Sequence, residues 1–430
     1  MQGPTHRLPG LVLTDHRFVV PLAHEDPDGE QITVFAREIV TPENENKDQP
    51  WLVFFQGGPG MESPRPNEKS GWLKRALKDY RVLLLDQRGT GLSTPISHQT
   101  LARRGTVEAQ ADYLKHFRAD SIVRDAESIR VQLLGKDGRW SVLGQSFGGF
   151  CVTRYLSAAP EGLREAIITG GLPPLERPAE DVYRATYQRV LEKNRRYYER
   201  YPEDAARTQE VLSYLTSHDV RLPGGGRLTP RRFQQLGLYF GASDGFEQLH
   251  YWLEEAFAED GLKAQIGYKA LRHLENIFIF ETNPIFVVLH EAIYCQEAAS
   301  NWAAERVRAE YPQFQLVPDQ PVYFTGEMIY PWMFDEYAYL QPLKEVAETL
   351  AGYDDWPWLY DVETLRANTV PCVAAIYYAD MYVERAYSEE TAQNIQGIRL
   401  WITNEYEHNA LRADGETVLG HLLDMLHGER

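Results

Sequence analysis

The chain has 430 residues, and its 44 Lys and Arg against 62 Asp and Glu give a formal net charge of −18. Hydrophobic residues make up 43% and charged residues 25%, which is typical of a folded globular protein and argues against a disordered chain. The negative charge repels phosphate backbones, so we expect no nucleic-acid partner. The longest nearly unbroken apolar stretch, residues 370–379, is about half of what a membrane-spanning helix needs, so we expect no membrane span.

The first 175 residues alternate strand-like runs with glycine-containing turns and helical stretches. Residues Gln31–Val40 alternate apolar and polar side chains, as a half-buried strand does. The short apolar runs Trp51–Phe55, 82–85 and 141–143 are each followed closely by glycine, which is typical of strands buried on both faces of a parallel sheet. Residues Ala119–Leu134 show helical spacing of apolar residues between two of these runs. The alternation predicts an α/β protein with a mostly parallel sheet.

The middle of the chain, from about residue 173 to residue 369, has a different character. Apolar and aromatic residues recur at helical spacing within residues 180–201, and aromatic-rich helical stretches continue through 248–257 and 285–299. Strand signals are few there. We therefore predict a mostly helical insertion.

Strand character returns near the C-terminus, at residues 371–378 and 397–402, and residues 417–426 have the pattern of an amphipathic helix. The chain is long enough for one large domain with an inserted part. The predicted organisation is a core formed by residues 1–174 and 370–430, with a large helical cap, residues 175–369, inserted before the last core strands.

The motif Gly144-Gln145-Ser146-Phe147-Gly148 lies between a predicted strand and a predicted helix. This is the G-x-S-x-G arrangement in which a serine sits on a sharp strand-to-helix turn. The glycines are needed because a Cβ atom would clash in so tight a turn. The helix N-terminus favours a developing negative charge. The alternative is a chance match in a glycine-rich turn, and the strand–helix context favours Ser146 as a nucleophile.

A serine hydroxyl needs a base to take its proton and an acid to orient that base. In α/β hydrolases these follow in the order Ser, Asp or Glu, His, each after a late strand. Asp380 follows the predicted strand at 371–378, and His408 follows the strand that ends near residue 402, so these two are the predicted acid and base. Less suitable by position are His290, His421, His427, Asp354, Asp355, Asp361 and Asp414.

The loop after the run Trp51–Phe55 predicts an oxyanion hole. It reads Gln56-Gly57-Gly58-Pro59-Gly60, and glycine lets backbone N–H groups approach a substrate closely. We predict that the N–H groups of Gly58 and Phe147 stabilise the oxyanion. A simple glycine turn is the alternative reading. No HExxH and no Walker A motif occurs, so we expect neither a metal nor a cofactor.

Three motifs together resemble the proline iminopeptidases (prolyl aminopeptidases). They are residues 57–60 (GGPG), residues 86–93 (DQRGTGLS) and residues 144–149 (GQSFGG), of which the second is the most discriminating. The resemblance implies an α/β-hydrolase fold and a serine peptidase that removes an N-terminal residue, preferably proline. Its implied partners are short peptides with a free N-terminus.

The resemblance also implies that carboxylates from the cap hold the substrate's α-ammonium group. Glu291 lies in a Glu-x-x-Tyr arrangement that resembles the family's, and Glu327 lies in an aromatic loop. The alternative for both residues is an ordinary solvent-exposed glutamate without a binding role, since such glutamates are abundant. Apolar walls for a proline ring are expected from Phe147, Tyr330, Trp332 and Phe334.

Two departures from the family leave the substrate preference open. Gln56 stands where the glycine motif usually begins with histidine, and Tyr378-Ala379 replaces the usual Gly-Arg-Tyr before the acid. One alternative is therefore a carboxylesterase, or an aminopeptidase of other specificity, on the same core. A second is a binding protein without catalysis on a hydrolase scaffold.

Cysteine usage and the N-terminus favour a cytoplasmic protein. Cys151, Cys295 and Cys372 are odd in number and far apart, and no CxxC pair occurs. This pattern predicts neither a zinc ribbon nor a disulfide framework. The first residues lack an apolar segment followed by a small-residue cleavage site, so a reducing cytoplasm is expected. The sequence leaves the oligomeric state open.

Overall fold

The structure is a computed structural model that describes residues 2–258 and 265–429. Its strands are β1 (Gln2–Leu8), β2 (Leu11–Pro21), β3 (Gln31–Val40), β4 (Trp51–Phe55), β5 (Arg81–Leu85), β6 (Trp140–Gln145), β7 (Leu163–Thr169), β8 (Phe257–Ala258), β9 (Gln265–Ile266), β10 (Cys372–Tyr377) and β11 (Arg399–Thr403). Its α-helices are α1 (Gly71–Ala76), α2 (His98–Leu101), α3 (Val107–Leu114), α4 (Ala119–Leu134), α5 (Phe147–Ala158), α6 (Ala179–Arg200), α7 (Asp204–Ser217), α8 (Pro230–Gln234), α9 (Gly245–Glu254), α10 (Tyr268–Ile277), α11 (Pro284–Val288), α12 (Ala303–Arg308), α13 (Met333–Glu336), α14 (Lys344–Ala351), α15 (Val362–Arg366), α16 (Arg385–Gln393), α17 (Ala410–Ala413) and α18 (Gly415–His427).

One large sheet organises the fold. Its strand order is β1-β2-β3-β5-β4-β6-β7-β10-β11, and β8 and β9 form a separate hairpin. The first three strands and the β3–β5 pair are antiparallel, whereas every pair from β5 to β11 is parallel. The predicted, mostly parallel α/β sheet is confirmed. The carboxyl ends of the parallel strands meet at one edge, where such sheets carry their ligand sites.

Both faces of the sheet are covered, which explains why strands such as β4 and β10 are apolar throughout. On one face α1, α17 and α18 pack through side chains such as Leu73, Val418 and Leu422. On the other face α4 and α5 pack, and the segment between β7 and β10 joins the same apolar cluster. Across residues 2–258 and 265–429, every helix is too short or too polar to span a bilayer.

The segment between β7 and β10 contributes α6 to α15 and, within its described part, no strand of the large sheet. Helix α6 spans 22 residues and buries one face, including Tyr183, Tyr187 and Val190. The predicted helical character of this segment is therefore confirmed, apart from the β8–β9 hairpin, which the sequence analysis did not predict. The boundaries of the cap at residues 175 and 369 stay a prediction.

The helical stretch predicted over residues 285–299 is wrong in its second half. Helix α11 ends at Val288, and a short 3₁₀ turn follows at Glu291–Tyr294. The buried guanidinium of Arg118 donates hydrogen bonds to the carbonyl oxygens of Ala292 and Cys295, at 3.0 and 2.7 Å. Arg118 thus holds the segment after α11 through contacts that are distant in sequence and that local spacing does not reveal.

Candidate active site

Ser146 stands at the turn between β6 and α5, with a φ of 55° and a ψ of −126°. A non-glycine residue rarely adopts this conformation, and such strain concentrates at functional sites. The neighbouring glycines allow the turn, because a Cβ atom on Gly144 would overlap the carbonyl oxygen of Gly148, and one on Gly148 would overlap that of Phe55. The steric reason predicted for the glycines is confirmed.

Asp380 and His408 follow the neighbouring strands β10 and β11, as predicted, and the structure brings them together. The Asp380 Oδ2 atom lies 2.6 Å from His408 Nδ1, and its Oδ1 atom accepts backbone N–H bonds from Tyr382 and Val383 at 2.9 and 3.2 Å. Burial by itself lowers the pKa of His408, but the Asp380 carboxylate outweighs burial, so the net pKa of the histidine is raised. This is the pairing that orients a general base.

Ser146 and His408 line the same cavity, which has a volume of about 670 Å³. Gly57 and Gly58 line it too, and a Cβ atom on Gly57 would lie 3.0 Å from the Ser146 Cβ atom. Phe147 is the first residue of α5, and the first N–H groups of a helix have no intrahelical acceptor. The loop after β4 and the start of α5 therefore both lie beside Ser146.

Glu327 lines this cavity and is partly exposed to it. Burial, together with the nearby Asp380 carboxylate, raises the pKa of Glu327 to about 8, although His408 opposes the rise. A cation beside a carboxyl group with so high a pKa would favour its charged form.

Glu291 is placed differently from Glu327. Its two carboxylate oxygens accept the backbone N–H groups of Ala303 and Ala304 at 3.0 and 2.9 Å, at the first turn of α12. Burial raises the pKa of Glu291 to about 7, and these hydrogen bonds oppose the rise. Among the described residues that line the cavity, Glu291 is absent. The role that the structure shows for Glu291 is to accept hydrogen bonds from the free backbone N–H groups at the N-terminus of α12.

Three buried tyrosines lie near Glu327, one of them also near Glu291, and the sequence analysis assigned none of them a role. The pKa of Tyr183 is raised by burial and by the carboxylates of Glu291 and Glu327, and within the described chain its hydroxyl has no hydrogen-bond partner. Burial and the Glu327 carboxylate also raise the pKa values of Tyr294 and Tyr382. The position of Tyr382, two residues after Asp380, is a signal that sequence reasoning could have used.

The aromatic residues expected to wall a proline ring lie mostly elsewhere. Tyr330 is buried with its hydroxyl 2.9 Å from that of Tyr187, and Trp332 stacks on Tyr330 at 5.5 Å between ring centroids. Phe334 is also buried, 5.8 Å from the ring of Trp302. These three residues belong to the interior of the insertion, whereas Phe286, which was not predicted, lines the cavity.

One cluster has ligand atoms close enough for a metal ion. Glu203, Asp204 and His250 offer atoms within 4.8 Å of one another. However, Asp204 already accepts a hydrogen bond from the Tyr197 hydroxyl and lies 2.8 Å from the guanidinium of Arg207. These donors occupy the lone pairs that a cation would need, so we interpret the cluster as a structural network.

The chain is similar to known proteins. A family model described as alpha/beta hydrolase fold matches residues 50–307. The chain is 51% identical over 425 residues to a proline iminopeptidase of Aeromonas sobria, covering 98% of this chain and 99% of that protein. It is 37% identical over 423 residues to proline iminopeptidase aneH of Aspergillus aculeatus, covering 96% and 94%. A solved structure of proline iminopeptidase from Mycobacterium smegmatis aligns with a TM-score of 0.47 and 14% identity over 96% of this chain and 98% of that one.

The sheet, the serine turn and the matched family model together define an α/β hydrolase. Within that class, the chain belongs to the proline iminopeptidase family, because the two near-full-length relatives carry that name. The resemblance predicted from the three sequence motifs is confirmed.

Proposed function

We propose that this protein is a serine aminopeptidase that releases an N-terminal residue, preferably proline, from short peptides. The observation that carries the proposal is the carboxyl group of Glu327 in the same cavity as Ser146 and His408. An esterase has no use for a half-buried carboxyl group there, whereas an aminopeptidase has to recognise a free α-ammonium group. The relatives named proline iminopeptidase support the same activity.

In the proposed mechanism, the Ser146 hydroxyl attacks the carbonyl carbon of the first peptide bond, while His408 takes the hydroxyl proton. Asp380, 2.6 Å from the other ring nitrogen, stabilises the imidazolium that forms. The N–H groups of Gly58 and Phe147 donate hydrogen bonds to the tetrahedral oxyanion. No metal or cofactor is needed for this step.

The tetrahedral intermediate then collapses, and His408 gives its proton to the leaving amine. The C–N bond breaks and an ester joins Ser146 to the N-terminal residue. Water attacks this acyl-enzyme with His408 again acting as the base, which releases the amino acid and restores the serine hydroxyl.

We propose that Glu327 binds the ammonium group directly and that Glu291, held by α12, supports the same region. Both carboxyl groups lie close enough to Tyr183 to raise the pKa of its buried hydroxyl. That hydroxyl, which has no partner in the described chain, is free to accept a hydrogen bond from the substrate amine.

We also propose the division into a core and a cap that the sequence predicts. Residues 175–369 act as a cap over a core of residues 1–174 and 370–430, and the cap carries both glutamates. Cys151, Cys295 and Cys372 are free and buried, which supports a cytoplasmic location, since reduced thiols persist there.

The test compares four substrates: prolyl-β-naphthylamide, alanyl-β-naphthylamide, N-acetyl-prolyl-β-naphthylamide and p-nitrophenyl acetate. We expect cleavage of the free prolyl compound, loss on acetylation, and loss of all turnover in a folded Ser146→Ala variant. A preference for alanine would keep the class and change the specificity. Activity on p-nitrophenyl acetate alone would assign the site to a carboxylesterase. Cleavage of none of the four substrates would contradict the proposal that the protein is an enzyme of this class.

A further inference from the structure

The cavity extends well beyond the catalytic residues. Its volume of about 670 Å³ lies within the ~300–1,000 Å³ range of small-ligand sites, so it has room for more than a single N-terminal residue. One wall comes from the cap, with Phe286 and Glu327. Another wall comes from the core, where α1 and the loop before α17 meet beside His408.

The core wall is apolar. Its side chains are Phe54, Trp72, Leu73, Leu84 and Leu411, and all except Trp72 are buried in the core between the sheet and α1. The rings of Phe54 and Trp72 stack with 4.6 Å between centroids and 28° between planes. Trp72 remains partly exposed, so it presents a fixed aromatic surface to the cavity.

The open side of the cavity lies beside this wall. Asn67, Glu68, Ser70 and Arg412 line the cavity and are exposed to solvent. Glu68 and Arg412 carry opposite charges, so the rim does not favour one sign of charge. Discrimination at this wall therefore falls to apolar contact with the Trp72 surface.

We infer that this wall is a subsite for the second residue of the peptide, and that it takes an aliphatic or aromatic side chain. The inference rests on the proposed function. With the α-ammonium group against Glu327 and the first carbonyl carbon at Ser146, the rest of the peptide has to leave towards solvent. The exposed rim beside α1 provides that path, and the second side chain meets the ring of Trp72, which Phe54 supports from the core side.

The test measures kcat/KM for Pro-Gly-NH2, Pro-Leu-NH2 and Pro-Phe-NH2, whose amide ends remove the C-terminal charge. We expect Pro-Phe-NH2 and Pro-Leu-NH2 to exceed Pro-Gly-NH2 at least fivefold in the parent enzyme. In Trp72→Ala we expect the ratio of these kcat/KM values to that of Pro-Gly-NH2 to fall towards one. The matched control is Trp358→Ala, at a tryptophan that is 49% exposed and outside the cavity, and it keeps the parent ratio.

A second measurement uses the parent enzyme alone, because Trp72→Ala removes a packed side chain. During turnover of prolyl-β-naphthylamide, an added amino-acid amide attacks the acyl-enzyme carbonyl through its amine, forms a peptide bond and frees the Ser146 hydroxyl. Phenylalaninamide should capture the prolyl group at least five times better than glycinamide. If prolyl substrates are cleaved but kcat/KM is the same for all three second residues, the subsite is overturned and the proposed function is not. The same holds if phenylalaninamide and glycinamide capture the prolyl group equally well. Absence of prolyl cleavage would overturn the proposed function as well.

Discussion

The ammonium nitrogen of Lys193 lies 2.6 Å from the Glu407 Oε1 atom, and thereby joins helix α6 to the residue that precedes His408. One turn earlier on the same helix, Arg189 binds both oxygens of Glu384 at 2.7 and 2.8 Å. Glu384 follows Asp380 in the loop after β10. The two loops that carry the predicted acid and base are therefore each tied to one helix by an ion pair.

Replacement of Lys193 should impair catalysis more than binding. Lys193→Met leaves the Glu407 carboxylate without its partner, and the other Glu407 oxygen is already unpartnered within the described chain. We expect a loss of about 3 kcal/mol in the free energy of unfolding, and a kcat that falls about tenfold or more because the His408 loop shifts. Urea unfolding and steady-state kinetics measure both effects. Arg195→Met, at an exposed position on α6, is the control, and equal kcat values in both variants would contradict the positioning role.

The strained backbone of Ser146 should cost stability. Ser146→Gly and Ser146→Ala both remove the hydroxyl, but only glycine adopts a φ of 55° without a penalty. We expect both variants to be inactive and the glycine variant to be more stable than the alanine variant by about 1 kcal/mol. Denaturant titration of the pair isolates the backbone effect. Equal stability would show that the turn is relaxed.

Glu327→Gln should weaken the recognition of free amines. Loss of a charged hydrogen-bond partner predicts a KM for prolyl-β-naphthylamide that rises about tenfold to hundredfold. The substrate's own α-amino group has a pKa of about 8, so kcat/KM is expressed per protonated substrate. On that basis, kcat/KM of the parent enzyme should rise with pH as His408 loses its proton and again near pH 8 as Glu327 ionises. The variant keeps the first rise and loses the second. An unchanged pH profile would assign amine recognition to another group.

The same residue should make stability depend on pH. The pKa of Glu327 is raised from 4.5 to about 8 in the folded protein, so its contribution to stability is fully present below pH 4.5 and is lost as pH rises through about 8. At pH 9 we expect Glu327→Gln to be more stable than the parent by on the order of 2–4 kcal/mol. At pH 4 the two should unfold alike. Thermal unfolding over this pH range tests the sign.

Glu291→Gln should lower stability, in contrast to Glu327→Gln. The Glu291 carboxylate accepts hydrogen bonds from two backbone N–H groups. In glutamine an NH2 group replaces one of the two acceptor oxygens, so one backbone N–H group then faces another donor. We expect a loss of about 1–3 kcal/mol in the free energy of unfolding. The nearby and exposed Glu297→Gln is the matched control. If Glu291→Gln unfolds like that control, the capping contacts of α12 are unimportant.

Much of the core was predictable because local signals there agree with the final packing. The alternating pattern of β3 and the apolar run of β4 each predicted a strand with the bounds that the structure has. The serine turn was predictable because its glycines and the following helix lie within a few residues of Ser146. Asp380 and His408 could be placed because strand order fixes where their loops emerge.

The proposed amine site was harder to predict, because the two glutamates differ only in contacts that are distant in sequence. Glu291 faces the start of α12, and Glu327 faces the cavity, yet no local pattern separates them. Likewise, the core wall beside Trp72 forms where residues far apart in sequence meet. Such contacts depend on the tertiary fold rather than on periodicity.

Arg118 links two parts of the molecule that the sequence separates by more than a hundred residues. It emerges just before α4 and holds the carbonyl oxygens of Ala292, Cys295 and Pro357, while its guanidinium rests on the ring of Trp356 at 4.6 Å. The segment that contains Glu291 thus takes its shape from a core side chain. An isolated cap would lack this support, so the chain should unfold in a single cooperative transition rather than piece by piece.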